Sequence, residues 1–248
     1  MGRAVIDAAA GRSDVKISAA VDRPDAPGLG QTVAGQVVVG SDLRAGLAAA
    51  AVYVDFTSVA ATVSAAQLAR ELGTPAVIGT TGLSAADEAV LAELARVAPI
   101  VVASNFSLGV NLLAGLVRKA AQALGPTWDV EIVETHHRAK RDAPSGTALT
   151  LAQAAAAGHG VAYDAVKRHG RDGDVGARPQ GEIGVHAVRG GDVVGEHTVS
   201  LFGAGERLEL SHRATSRTIF AAGALRATAW VVGKPPGRYD MLDVLGLR

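Results

Sequence analysis

Ala51-Val52-Tyr53-Val54-Asp55-Phe56, followed by Thr57-Ser58, is an apolar, β-branched run that ends on polar residues able to cap a helix. Ala60 to Leu72 is that helix, stopped by Gly73, and Ala76-Val77-Ile78-Gly79 is the next buried strand. Downstream, Ser84 caps a helix running to Val97, with Asp87 and Glu88 in its first turns where the dipole favours acids. Ile100 to Ala103 is a further strand. Upstream, Val15 to Val21 alternates and ends at Asp22-Arg23-Pro24, after a helical stretch over residues 4–10 closed by Gly11. Residues 24–35, rich in Pro and Gly, read as a loop, and Asp42 to Ala49 as a weak helix. Strands alternating with helices imply an α/β domain with a parallel sheet covered on both faces. Ligands of such sheets sit beyond the carboxyl ends of the strands. Those ends are Asp22-Arg23, Asp55-Phe56-Thr57, Gly79-Thr80-Thr81 and Ser104-Asn105-Phe106, so a cofactor is expected there.

After residue 107 the pattern changes. Val110 to Leu124 is a long helix closed by Gly125, Val130 to Thr135 a strand, and residues 145–157 a helix. A polar, Gly-rich stretch over 158–180 precedes three strand-like runs: Ile183 to Arg189, Asp192 to Phe202 and Glu206 to Arg213. Strands joined by short turns predict an α+β domain with an antiparallel or mixed sheet. A last helix, about Thr218 to Val232, precedes a Pro-Gly tail. The expected division is a nucleotide-type domain over 1–107, with 218–248 returning to it, and a second domain over 108–217.

Bulk properties narrow the function. Apolar residues make up 48% of the 248 and charged residues 19%, an ordinary globular balance. The formal net charge is zero, so nucleic acid and anionic membrane surfaces are poor default partners. The absence of cysteine excludes disulfides, thiolate metal sites and a cysteine nucleophile, and fits a reducing cytoplasm. No run reaches the length of a membrane span.

The chemistry concentrates in Glu134-Thr135-His136-His137-Arg138-Ala139-Lys140-Arg141-Asp142-Ala143-Pro144-Ser145-Gly146-Thr147, which comes after a strand and leads into a helix. Ser145 can cap that helix, whose start offers unpaired N–H groups and partial positive charge to an anion. Ser145 and Thr147 add hydroxyls. The loop therefore suits a small anion such as a carboxylate, with His136 and Lys140 as the natural proton donors, a crowded lysine being readily depressed. A solvated basic loop would read the same from spacing alone. A zinc site is disfavoured, because adjacent histidines diverge and no helical His-x-x-x-His occurs, so no metal is expected.

This run closely resembles the signature of dihydrodipicolinate reductases, Glu-x-His-His-x-x-Lys and then Asp-Ala-Pro-Ser-Gly-Thr-Ala. Further segments resemble the family in order: Asp55-Phe56-Thr57, Gly79-Thr80-Thr81-Gly82, Ser104 to Asn111, Gly195-Glu196-His197-Thr198, and Gly205 to Glu209. The resemblance implies a Rossmann-like nucleotide-binding domain plus a substrate-binding and oligomerisation domain, working as a cytoplasmic homotetramer. It implies NADH- or NADPH-dependent reduction of 4-hydroxy-tetrahydrodipicolinate, a small dicarboxylate on the diaminopimelate route to lysine. His136 and Lys140 would act in acid–base catalysis and His137 would bind substrate. Gly146 and Thr147 would hold a substrate carboxylate. Asp22 would accept ribose hydroxyls, or Arg23 a 2′-phosphate. Gly79, Thr80 and Thr81 and the Ala103-Ser104-Asn105-Phe106 turn would flank the nicotinamide. Glu134 would be structural, pairing with Arg138 or orienting His136. A non-catalytic nucleotide-binding or scaffold relative, and a different oxidoreductase of the same fold, are the rival readings.

The family begins with a strand and a Gly-rich turn, of which Met1-Gly2-Arg3 matches only the end. Two explanations compete: an internal methionine read as the start of a longer natural protein, or a degenerate chain. The first is preferred, since every downstream motif is intact. The chain as given is expected to bind cofactor poorly and to fold badly in its first domain.

Overall fold

Ala76 and Ile78 face one apolar cluster and Val77 the opposite one, so the strand they form is buried on both sides. This computed structural model describes residues 1–247; Arg248, the end of the expected returning segment, lies outside them. The chain divides into two compact units, Met1–Leu108 with the segment from Thr218 onward, and Gly109–Arg217.

The first unit runs α1 (Gly2–Ala9), β1 (Ala20–Val21), β2 (Thr32–Val33), β3 (Val37–Gly40), α2 (Leu43–Ala48), β4 (Tyr53–Asp55), α3 (Val59–Leu72), β5 (Ala76–Ile78), α4 (Ala85–Ala95) and β6 (Pro99–Val102). The second runs α5 (Leu108–Leu124, its first residue in the first unit), β7 (Asp129–His136), α6 (Gly146–Gly158), α7 (Tyr163–Val166), β8 (Lys167–His169), β9 (Ile183–Arg189), β10 (Gly195–Gly203) and β11 (Glu206–Ala214). The chain then adds α8 (Thr218–Val231), β12 (Gly237–Tyr239) and α9 (Met241–Leu245) to the first unit.

The first unit is Rossmann-like. Its main sheet has the order β12-β6-β5-β4, parallel throughout, with the register Asp55–Ile78–Val102 bringing three carboxyl ends to one edge. Ala66 and Ala69 of α3 and Leu91 and Leu94 of α4 cover one face. Val5 and Ala9 of α1 and Ala221, Ala224 and Leu225 of α8 cover the other. Fully burying a side chain such as Ile78 or Ile100 is worth about 1.5–3 kcal/mol each.

A second sheet, β1-β3-β2, stands apart from β4. The expected strand over 15–21 is correspondingly short: only Ala20 and Val21 pair, while Val15 and Ile17 pack on the apolar cluster without a ladder. Part of the expected loop over 24–35 is instead a hairpin, β2 to β3, turned by Ala34 and Gly35 with φ of 48° and 80°. Two more short elements, β12 and α9, occupy the expected tail. In the second unit α7 and β8 occupy part of the Gly-rich stretch.

The second unit's sheet is mixed, in the order β11-β10-β7-β9-β8. β9 and β10 are consecutive in sequence yet do not pair. β7 lies between them, parallel to β9 and antiparallel to β10. The turn over 190–194 therefore arches across the end of β7, and this crossing builds the site. Val130 and Ile132 of β7, with Ile183, Val185, Val199 and Leu201, pack against Val117 of α5 and Leu151, Ala152 and Ala155 of α6.

Candidate active site

Glu134 and His136 leave the end of β7 on its inner face, two residues apart as strand periodicity requires. The arching turn pins the start of the loop after them. His136 O accepts from Gly190 N, His137 N donates to Val193 O at 2.8 Å, and Arg138 N donates to Gly191 O at 3.1 Å. The loop then passes the cis Ala143–Pro144 peptide and enters α6 at Ser145.

Glu134 has no exposed surface. Its Oε2 accepts from His136 Nδ1 at 2.6 Å and Arg189 Nη1 at 2.7 Å; its Oε1 accepts from Arg189 Nη2 at 2.8 Å and Ser145 N at 3.0 Å. Burial pushes the carboxyl up, but the donors Arg189, His136 and Ser145 outweigh it and hold it below the ordinary range. The arginine that pairs with Glu134 is thus Arg189 of β9, whereas Arg138, the partner expected from sequence proximity, is exposed to solvent.

Ser145 is buried, and its hydroxyl accepts from Ala148 N at 3.2 Å and lies 3.1 Å from His197 Nε2. Ser145 is the helix cap expected from the sequence, while its hydroxyl, read also as a donor to the ligand, faces inward; the exposed Gly146 and half-buried Thr147 are left at the mouth of α6. His197 stands opposite Glu134 across the β7–β10 ladder, its ring edge-on to His136 at 5.2 Å. Burial, and then the nearby His136, push His197 down to about 4, so it is neutral near pH 7. Lys140 Nζ meets Asp142 Oδ2 at 2.8 Å, so the lysine expected to be crowded by cations faces a carboxylate instead. His137 is half-buried beside them.

In the first unit the structure brings together the ends of β4, β5 and β6. Asp55 is buried, and its Oδ1 accepts from Thr57 N at 2.8 Å and Thr57 Oγ1 at 2.6 Å. Gly79 donates its N–H to Asp55 O, and a side chain there would strike the Phe56 ring at 2.0 Å, so the ring rests on bare backbone. Thr80 is turned inward to Thr62, while Thr81 and Ser104 are exposed and Ala103 and Asn105 half-buried. Phe106, expected to flank the cofactor, is 1% exposed and packs edge-to-face on Phe56, a core residue by its surroundings. Asp22 lies just after β1 in the other sheet, exposed, with Oδ1 accepting from Arg23 N, and Arg23 pairs with exposed Asp25. Met1 is the exposed N-cap of α1. Among the described residues, no cluster of three His, Asp or Glu is placed to hold a metal ion. No helix among them is long and apolar enough to cross a membrane.

Sequence reasoning quotes His197 only as part of a motif and assigns no role to Arg189 or Asp55. Asp55 carries a usable signal, a carboxylate closing an apolar strand. Arg189 carries none beyond its strand, and His197 only its place in the Gly195-Glu196-His197-Thr198 segment.

Comparisons with known proteins cover both units. Residues 1–106 match the family described as "Dihydrodipicolinate reductase, N-terminus" and residues 109–245 the one described as "Dihydrodipicolinate reductase, C-terminus". A 4-hydroxy-tetrahydrodipicolinate reductase of Anaeromyxobacter dehalogenans is 49% identical over 255 residues, covering 100% of this chain and 94% of the relative. One from Alkalilimnicola ehrlichii is also 49% identical, covering 100% and 95%. The solved structure of a dipicolinate-bound dihydrodipicolinate reductase from Paenisporosarcina sp. TG-14 aligns with a TM-score of 0.81 at 26% identity, over 98% of this chain and 94% of that one.

Proposed function

We propose how these residues act, on the premise that the chain belongs to the dihydrodipicolinate reductase family. It is a reductase of 4-hydroxy-tetrahydrodipicolinate, on the diaminopimelate route to lysine, and it uses a nicotinamide nucleotide.

The strand ends of the first unit suit such a cofactor. The Phe56 ring lying on Gly79 leaves a flat apolar cradle, flanked by the exposed Thr81 and Ser104. Asp22 accepts the adenosine ribose hydroxyls. Arg23, whose partner Asp25 is itself exposed, can turn to a 2′-phosphate, so NADH and NADPH are both proposed as donors. When bound, the nicotinamide supplies hydride to C4 of the ring once water has left.

Gly146 N–H and Thr147, at the positive end of α6, hold a carboxylate of the substrate. His137 contacts the same acid. His136 and Lys140 provide the proton that the reduced enamine takes up. The observation that carries this reading is the His136 ring, locked by a buried carboxylate at 2.6 Å beside a helix mouth. The experiment is nicotinamide oxidation coupled to the synthase that makes the hydroxy-diacid. His136→Ala and Lys140→Ala should cut turnover far more than they weaken cofactor binding; full turnover in both refutes the roles.

The second unit's outer sheet face exposes Val133 and Val188, and it is proposed to pair with copies of itself in a cytoplasmic homotetramer. Light scattering then gives about four times the 25.1 kDa chain mass.

A further inference from the structure

The geometry points to Glu134 and Arg189 as positioning residues that align the proton carrier and the anion-binding mouth of α6 as one piece, with His136 Nε2 as the nitrogen that exchanges the proton. This rests on the roles proposed above for His136, Gly146 and Thr147.

A carboxylate only accepts, so every partner of ionised Glu134 must donate. His136 Nδ1 therefore carries its hydrogen in both charge states, and the mobile proton belongs to Nε2. The same carboxylate accepts the Ser145 N–H at 3.0 Å, one residue before the amides assigned to the substrate carboxylate. One buried group thus sets both the imidazole and the helix start.

Arg189 makes that arrangement rigid. Its guanidinium grips both Glu134 oxygens in a fork, and donates further to Asp142 O and Val188 O, each at 2.7 Å. It ties the end of β9 to the loop carrying Lys140, and balances the Glu134 charge whether or not His136 is protonated.

The remaining charged surroundings of His136 are compatible. His197 on β10 is neutral, and Lys140 on the loop is paired with Asp142. Gly195, at the start of β10, adds an independent fit. A side chain there would come within 3.0 Å of His136 Nε2, so the neighbouring strand is bare where that nitrogen must be approached.

The test uses the whole chain. Nitrogen-15 NMR of labelled histidine should show neutral His136 with its hydrogen on Nδ1; a hydrogen on Nε2 overturns the proposal without any variant. Arg189→Met should lower turnover roughly 10- to 100-fold at unchanged cofactor affinity. It should also move the histidine limb of the pH–rate profile upward, because the unbalanced carboxylate then favours imidazolium. Arg189→Lys should restore part of the rate. Glu134→Gln, which presents a donor to Nδ1 and reverses the tautomer, should cost about 100-fold or more. An Arg189→Met enzyme with wild-type turnover and an unmoved pH limb contradicts the positioning role. Full turnover in His136→Ala instead defeats the acid–base reading, and the NMR tautomer still decides the alignment by itself.

Discussion

Glu131 and Glu134 lie three residues apart on one strand and so face opposite sides of the sheet. Both hold a histidine, Glu131 with two arginines and Glu134 with one. Glu131 takes Arg171 at 2.7 Å, Arg178 at 2.9 Å and His186 at 2.7 Å; Glu134 takes Arg189 at 2.7 Å and His136 at 2.6 Å. Each also has a nearby bare glycine, Gly184 beside the Glu131 carboxylate and Gly195 beside His136 Nε2. Residue types therefore do not distinguish a structural cluster from an active one. Placement does. Glu131 sits mid-strand, and its arginines go on to Asp129 and Glu182, closing a network of ion pairs. Glu134 sits at the strand end, beside a helix mouth and under the turn from β9 to β10.

The largest expected contrast is in rate. His136→Ala should lower turnover roughly 10²- to 10⁴-fold, the usual worth of a general acid–base group, while His186→Ala leaves it at the wild-type level. Equal losses in a steady-state assay would erase the distinction. Stability comes next. Glu134→Ala removes a fully buried carboxylate and leaves the half-buried Arg189 guanidinium and the Ser145 N–H without their acceptor, and should cost about 2–4 kcal/mol in urea unfolding. Glu131→Ala should cost less, about 1–3 kcal/mol, because Arg171 and Arg178 keep other acids.

Acid separates the two faces by pH window. His197 is depressed to about 4, so the unfolded chain takes up a proton that the native one refuses. Stability is fully present above about pH 6.5 and falls by up to about 3 kcal/mol as pH drops toward 4. Glu131 is held down to about 2, with burial opposing and Arg171, Arg178 and His186 prevailing. Its contribution is intact above about pH 4.5 and disappears as pH falls through 2. His197→Gln should flatten the first window alone in pH-dependent melting. A slope that survives this change would place the titrating group elsewhere.

The smallest effects concern the glycines. Gly184→Ala forces a methyl to 1.8 Å from Glu131 Oε2, and should cost about 1–3 kcal/mol of stability with unchanged kcat. Gly195→Ala meets a milder 3.0 Å contact, so its loss should fall on turnover rather than stability.

Legibility in the sequence tracks range. Local signals work where the structure is local. Ser58, Ser84 and Ser145 cap the helices expected after them, and Gly73 and Gly125 end theirs in left-handed backbone. The loop over 134–147 is legible as a cluster because its residues are adjacent. The Arg189 partnership spans 55 residues and that between Ser145 and His197 spans 52, and both arise from a strand order in which β7 intervenes between β9 and β10. No periodicity reports that order. The β2–β3 hairpin is hidden for a different reason: its turn uses Ala34 at positive φ, where Asn or Gly would be the recognisable choice.

Every role assigned to the loop over 136–147 presumes a small diacid held at the mouth of α6, beside His136. A crystal structure of this chain with dipicolinate would reveal whether it is. One carboxylate should lie on Gly146 N–H and Thr147, with the ring within reach of His136 Nε2 and Lys140. Dipicolinate bound at a site that excludes residues 136–147 would overturn the assignment.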